Sequence, residues 1–207
     1  MIASPAAPRL GRDARPRRLR WLLAAVPLLL LLAALLAAAL LRTPPLPGTD
    51  LEGRPSPDFR LLDYRGVEHT LAGLRGRPVV LAFMYAGCPD VCRLTTAGLA
   101  ETARELGPSA DRVAFVGVSV DPGGDDPSTV RRFLARQGVA DRLVYLTGPR
   151  DELARVWADY YVYADPALHT DALYLIDRAG RQRALLHSDF DPSELAAALR
   201  ALEREWL

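Results

Sequence analysis

Residues 79–106 read VVLAFMYAGCPDVCRLTTAGLAETAREL, an apolar run followed by two cysteines and then by a periodic stretch. The run at 79–84 has the length and composition of a β-strand that is buried on both faces. From Cys92 to Leu106, apolar residues recur three to four positions apart, which predicts an amphipathic helix. A buried strand that leads directly into such a helix is typical of a parallel α/β sheet.

Strands and helices continue to alternate on the carboxyl side of this segment. A second buried strand is predicted at 113–120, and Asp126-Pro127 predicts a helix start, with an N-cap residue followed by proline. The remaining predicted elements are an opening hairpin at 59–62 and 67–70, a strand at 143–146, a helix around 153–161, strands at 172–176 and 181–187, and a helix after Asp191. This order predicts an α/β, thioredoxin-like fold with an N-terminal β-hairpin and one inserted βα unit.

A transmembrane helix is predicted before this domain. Residues 21–41 carry no charge, and a helix of that length spans about 30 Å, enough to cross the hydrocarbon core of a bilayer. Residues 1–20 contain six arginines and one aspartate, so the positive-inside rule places them in the cytoplasm and the rest outside. The alternative is a cleaved signal peptide, with Ala37-Ala38-Ala39 as a processing site.

Composition divides the chain into four predicted parts. They are a basic cytoplasmic N-terminus at 1–20, a membrane helix at 21–41, a linker rich in Pro and Gly at 42–58, and the thioredoxin-like domain at 59–207. With six of the 26 basic and one of the 25 acidic residues in the first part, the remainder has 20 basic and 24 acidic residues. An exported part with net negative charge argues against nucleic acid as a partner.

Cys88 and Cys92 are the two cysteines of the chain, and they lie where the first buried strand gives way to a helix. Sites in α/β sheets form beyond the carboxyl ends of strands. The positive partial charge of a helix N-terminus also favours thiolate over thiol. Spacing alone leaves three interpretations open: a metal-binding pair, a redox-active pair, or a structural disulfide whose short loop contributes only about 2 kcal/mol.

His169 is the predicted third member of this site. Oxidoreductases of this fold usually have a proline just before the strand that faces the cysteines, whereas residues 167–171 read ALHTD. If that segment closes over the cysteines, two thiolates and one imidazole form a soft site that suits Cu(I), with an open position for Cu(II). Zinc remains an alternative with a water or a carboxylate such as Asp90. The other two histidines, His69 and His187, are predicted to be surface residues.

The chain resembles the Sco/SenC family of copper-binding proteins from about residue 57 to its end. The resemblance lies in CPDVC at 88–92, in VSVDP at 118–122 followed by Asp126-Pro127, and in His169 ahead of LYLID at 173–177. It implies a thioredoxin-like domain behind a single N-terminal anchor. It also implies one copper ion bound by the two cysteines and the later histidine, here Cys88, Cys92 and His169.

The resemblance further implies a role as a copper chaperone in the assembly of the binuclear copper centre in subunit II of cytochrome c oxidase. Some members of the family are thought to reduce the cysteines of that subunit. Two departures concern the site: Arg93 stands where the family commonly has proline, and Thr170-Asp171-Ala172 replaces the usual residues after the histidine. Neither departure removes a ligand.

Three functions therefore remain open for this chain. It is predicted to be a copper chaperone whose partner is cytochrome c oxidase subunit II or another extracytoplasmic copper protein. The alternatives are a thiol-disulfide reductase that uses Cys88 and Cys92, and a copper or redox sensor. In each case the predicted location is a bacterial cell membrane, with a single span and the domain on the periplasmic side.

Overall fold

The computed structural model describes residues 26–27, 29–33, 45–165 and 170–205. The chain divides into two units, Met1–Thr43 and Pro44–Leu207, and the fold set out below is that of the second unit. Most of the predicted membrane segment 21–41 lies outside the described residues; 26–27 and 29–33 are helical. No helix within the described ranges is both long enough and apolar enough to cross a membrane.

The domain is built on a mixed β-sheet flanked by helices, as the alternating pattern predicts. Its strands are β1 (Thr49–Pro55), β2 (Arg60–Asp63), β3 (Glu68–Thr70), β4 (Val79–Met84), β5 (Ala114–Ser119), β6 (Leu143–Thr147), β7 (Leu173–Ile176) and β8 (Arg181–Leu186). Its α-helices are α1 (Val91–Leu106), α2 (Pro127–Gln137), α3 (Arg150–Asp159) and α4 (Pro192–Arg204). Short 3-10 helices lie at Ala72–Leu74 and Gly107–Arg112.

Strands pair in the order β1-β8-β7-β4-β5-β6-β2-β3. Strands β4, β5 and β6 are parallel, which is the geometry expected of consecutive βα units. Strand β7 runs antiparallel to β4 and forms the final hairpin with β8. The sheet therefore has a parallel centre, and the beginning of β7 lies beside the end of β4.

Both faces of the sheet are covered, which explains why β4 is apolar throughout. Alternate residues of β4 point to opposite sides: Val80 belongs to one core cluster and Leu81 to the other. Helices α1, α2 and α4 pack on the first face, and α3 packs on the second together with Phe59, Leu71 and Leu74. Removal of both faces from water is the main stabilising term for such a sheet.

Helices α2 and α4 begin at the residues that the sequence predicts. Asp126 accepts hydrogen bonds from the backbone N–H groups of Ser128 and Thr129, and Asp191 does the same for the two corresponding positions of α4. In each helix a proline follows the capping residue, where its missing N–H costs nothing. These local signals fix two helix starts independently of tertiary packing.

Strand β1 corrects part of the predicted organisation. The composition of residues 42–58 predicts an extended linker, but Thr49–Pro55 forms an edge strand that pairs antiparallel with β8. The register is interrupted between Asp50 and Arg54, next to a glycine with positive φ at Gly53. The ordered domain therefore starts before residue 59.

Helix α3 ends in a turn with an unusual residue. Tyr161 has φ +55° and donates its backbone N–H to Ala158 O, while Val162 donates to Trp157 O at 2.7 Å. This bonding pattern is a Schellman motif, whose left-handed position is most often glycine. The Tyr161 side chain is 91% exposed, so it gains little packing in return for its backbone strain.

We expect Tyr161→Gly to raise the free energy of unfolding by about 1 kcal/mol, because glycine adopts this conformation without strain. The matched control is Tyr163→Gly: Tyr163 is also an exposed tyrosine but has no positive φ, so glycine there should lower stability. Urea unfolding followed by circular dichroism measures both. Equal losses of stability in the two variants would contradict the strain argument.

Candidate metal centre

The two cysteines lie at the carboxyl end of β4, in the connection to α1. The backbone N–H of Cys88 donates to Tyr85 O at 3.2 Å, which closes a tight turn after the strand. Helix α1 begins at Val91, so Cys92 occupies its first turn. The structure thus places the pair beyond the carboxyl ends of the parallel strands, where the binding sites of α/β proteins form.

Cys88 and Cys92 are in contact at the N-terminal end of α1. The backbone N–H of Cys92 donates to the Sγ atom of Cys88 at 3.3 Å. Both side chains are buried, with 4% and 1% of their surface exposed, and the two are not joined in a disulfide. The arrangement leaves two soft sulfur ligands side by side and shielded from water, which suits a thiophilic metal or disulfide chemistry.

Burial changes the ionisation expected of Cys92. A position at a helix N-terminus predicts a thiolate, but desolvation raises the pKa of the Cys92 thiol well above its usual range. A hydrogen bond with Cys88 raises this pKa further, and a hydrogen bond with the backbone of Tyr85 opposes the change. Burial therefore favours the neutral thiol form of Cys92 in the metal-free protein.

His169 lies outside the described residues, but the segments on both sides of it are defined. Thr170 donates its backbone N–H to Tyr163 O at 3.0 Å, and its hydroxyl accepts from the N–H of Tyr163 at 2.9 Å. Two residues later, Ala172 O accepts a hydrogen bond from the N–H of Phe83 in β4. The residues that follow His169 therefore lie at the same end of β4 as the cysteines.

The other candidate residues have different surroundings. Asp90 and Arg93 are exposed, and the Asp90 side chain makes no capping hydrogen bond to α1. His187 is exposed and lies 2.6 Å from Asp171 O through its Nδ1 atom, as expected of a surface histidine. His69 is half-buried on β3, with Nε2 3.4 Å from a carboxylate oxygen of Asp63. In the part of the chain that the structure describes, no three His, Cys, Asp or Glu side chains form a metal-ligand cluster.

Asp125 is a residue of this site that the sequence analysis does not identify. Its carboxylate is buried and accepts hydrogen bonds from the backbone N–H of Ala86 at 2.8 Å and from the hydroxyls of Ser119 and Tyr145, both at 2.6 Å. Ala86 lies two residues before Cys88, so Asp125 holds the cysteine loop. Desolvation raises the pKa of Asp125, and these three hydrogen bonds oppose the change.

Comparison with known proteins gives a consistent result. A family model described as SCO1/SenC matches residues 48–204. The mitochondrial SCO2 homologues of mouse and human are 33% and 34% identical over 126 residues, which is 59% of this chain and 48% and 46% of theirs. The chain spans about half the length of these relatives.

A solved structure provides the corresponding match in three dimensions. ScoI of Bradyrhizobium japonicum, determined with copper bound, is 34% identical, with a TM-score of 0.63. The match covers 70% of this chain and 98% of that one. The fold described above is thus the thioredoxin-like fold of these structures.

Proposed function

Because the chain belongs to the SCO1/SenC family, we propose that it binds one copper ion through Cys88, Cys92 and His169 and helps assemble the binuclear copper centre of cytochrome c oxidase. The observation that carries this proposal is the pair of buried cysteines that are in contact at the start of α1. The bound copper of the related ScoI supports the choice of metal.

The donor set fits the proposed cargo. Two sulfur atoms held together in a water-poor site favour Cu(I), and the single imidazole of His169 allows Cu(II) as well. The two sulfurs come from residues that the structure describes, and the residues after His169 pair with β4 near the same end of that strand. A site with three ligands leaves a coordination position through which a partner can take the ion by ligand exchange.

The same cysteines would make loading dependent on redox state. Oxidation of Cys88 and Cys92 to a disulfide removes two electrons and two protons from the pair, which then offers no thiolate to copper. In this proposal the electron acceptor is a disulfide of another molecule, which takes up the two electrons and two protons and becomes two thiols. The two cysteines are adjacent in the structure, since the N–H of one contacts the sulfur of the other. Copper loading is therefore proposed to require the dithiol.

The proposal is tested on the full-length protein, reduced and metal-free, by copper titration. We expect about one copper per chain and a thiolate-to-copper absorption band in the Cu(II) form. Cys88→Ser and Cys92→Ser should each remove the band, and the oxidised wild type should bind no copper. If the reduced wild type takes up no copper, the chaperone function is wrong.

A second candidate function is reduction of a disulfide in the partner. The contact between the two cysteines favours it, because an adjacent pair of thiols can donate electrons to a disulfide and form a disulfide itself. Cys88 and Cys92 would become a disulfide as the partner's cysteines become thiols, so electrons and protons balance. Copper delivery requires His169 as a ligand, whereas disulfide reduction requires only the two cysteines, so a His169→Ala variant distinguishes the two functions.

We also propose that residues 21–41 anchor the domain to a bacterial cell membrane, with the domain on the periplasmic side. The support is the uncharged run and the six arginines before it. Retention of the full-length chain in carbonate-washed membranes, together with its digestion by protease added to spheroplasts, is the expected result. Recovery of the chain in the soluble fraction would contradict the anchor.

A further inference from the structure

Asp125 connects three separate parts of the fold through one buried carboxylate. It lies in the loop between β5 and α2, and 2% of its surface is exposed. One oxygen accepts the N–H of Ala86, and the other accepts the hydroxyls of Ser119 at the end of β5 and Tyr145 in β6. A buried carboxylate with this many donors holds its neighbours in fixed positions.

The connection to the cysteine loop is direct. Ala86 lies between Met84, the last residue of β4, and Cys88. Besides contacting Asp125, the Tyr145 hydroxyl lies 3.2 Å from Met84 O, so the start of the loop is fixed on both sides. The turn that carries Cys88 is therefore anchored to neighbouring strands as well as to its own helix.

We propose that Asp125 is a positioning residue for the Cys88–Cys92 pair, which it serves by fixing the backbone turn before Cys88. The inference deepens the proposed function, on which its copper readout rests. Asp125 contacts no ligand of the proposed site and acts through Ala86. Without the carboxylate, the Ala86 amide and two buried hydroxyls lose this acceptor, and the turn can relax away from the geometry in which the two sulfurs meet.

The neighbouring Asp126 provides a matched control. It differs from Asp125 by one position, but its carboxylate is exposed and caps α2 through Ser128 and Thr129. Asp126→Ala therefore removes a neighbouring carboxylate and weakens the start of α2 without removing a hydrogen bond to the cysteine loop. If Asp125 acts specifically on the cysteines, Asp125→Ala must change their properties and Asp126→Ala must not.

The test uses the full-length protein with Asp125→Ala, Asp125→Asn and Asp126→Ala. Two quantities are measured: the Cu(I) affinity of the reduced protein, by competition with a chromophoric chelator, and the dithiol–disulfide equilibrium constant of the metal-free protein in glutathione buffers. Asp125→Ala is expected to lower the copper affinity about 10–100-fold. It should also change the dithiol equilibrium constant at least tenfold, about 30 mV.

Asp125→Asn keeps one oxygen for the Ala86 N–H, so it should show a smaller change in both quantities, and Asp126→Ala should match the wild type. If Asp125→Ala does not fold, Ser119→Ala and Tyr145→Phe replace it, since each removes one donor to the carboxylate, and both should shift the dithiol equilibrium. A folded Asp125→Ala with wild-type values, or equal changes in Asp126→Ala, overturns the proposal.

The two measurements separate failure of the proposed copper function from failure of the proposed role of Asp125. If the wild type binds no copper, the chaperone proposal fails, whereas the dithiol equilibrium still reports on Asp125 because it is measured without metal. Wild-type dithiol equilibria in the Asp125, Ser119 and Tyr145 variants would overturn the positioning role whether or not copper binds.

Discussion

Replacing His169 by alanine is expected to lower the copper affinity of the reduced protein by more than ~100-fold while its two thiols still form a disulfide. Loss of a hydrogen-bond partner of a metal ligand already costs about 10–100-fold, and loss of the ligand itself should cost more. The disulfide needs only Cys88 and Cys92, which meet at the start of α1 without His169. Copper competition and a thiol assay on the same sample measure both properties.

The matched control is His69→Ala. His69 lies on β3, the strand at the far end of the sheet from β1, and its imidazole faces Asp63. Its removal should leave the copper affinity unchanged. A His169→Ala variant with the copper affinity of the wild type would exclude His169 as a ligand. That result would favour the reductase function, because the two cysteines alone would then account for the site.

The second large effect concerns stability. We expect Leu175→Ala in β7 to lower the free energy of unfolding by about 2–5 kcal/mol, because the leucine is fully buried and the cavity left behind cannot collapse completely. The matched control is Leu62→Ala in β2, which removes the same atoms from a side chain that is 46% exposed. We expect it to cost less than about 1 kcal/mol.

Denaturant unfolding of the metal-free, reduced protein measures both leucine variants. The metal must be absent because bound ligand adds to apparent stability by mass action. Similar losses in the two variants would mean that β7 is not in the core, and the assignment of its register beside β4 would have to be revised.

Local signals predicted most of the elements because they depend on neighbouring residues alone. Asp126 and Asp191 cap their helices through backbone groups two and three residues away, and the following prolines mark the same positions. The apolar run of β4 is long enough to identify a strand covered on both faces. Such features do not require knowledge of the tertiary structure.

Two features escaped prediction because their cause is tertiary. Strand β1 buries no residue fully, so its sequence carries no hydrophobic pattern, and it is a strand only because β8 offers it hydrogen bonds. Asp125 and Asp126 are adjacent and chemically identical. Only the positions of distant groups such as Tyr145 determine that the first of them is buried beside the cysteine loop.

The prediction that His169 belongs to the site depends on a local feature and on a tertiary one. Its residue type is evident from the sequence, but its relation to the cysteines depends on topology, since β7 must lie beside β4 for the segment to return there. The structure confirms that pairing, with Leu173 opposite Ala82. The position of the imidazole itself stays a prediction, because residues 166–169 lie outside the described ranges.

The pairing of β1 with β8 has a consequence for how the chain folds during synthesis. Thr49 pairs with Leu185, so the first strand to leave the ribosome cannot find its partner until nearly the whole chain has been made. Until then its backbone groups are open to pairing with other chains. The strand sequence TDLEGRP has three charges, a glycine and a proline, and we expect these residues to oppose such association while the chain is incomplete.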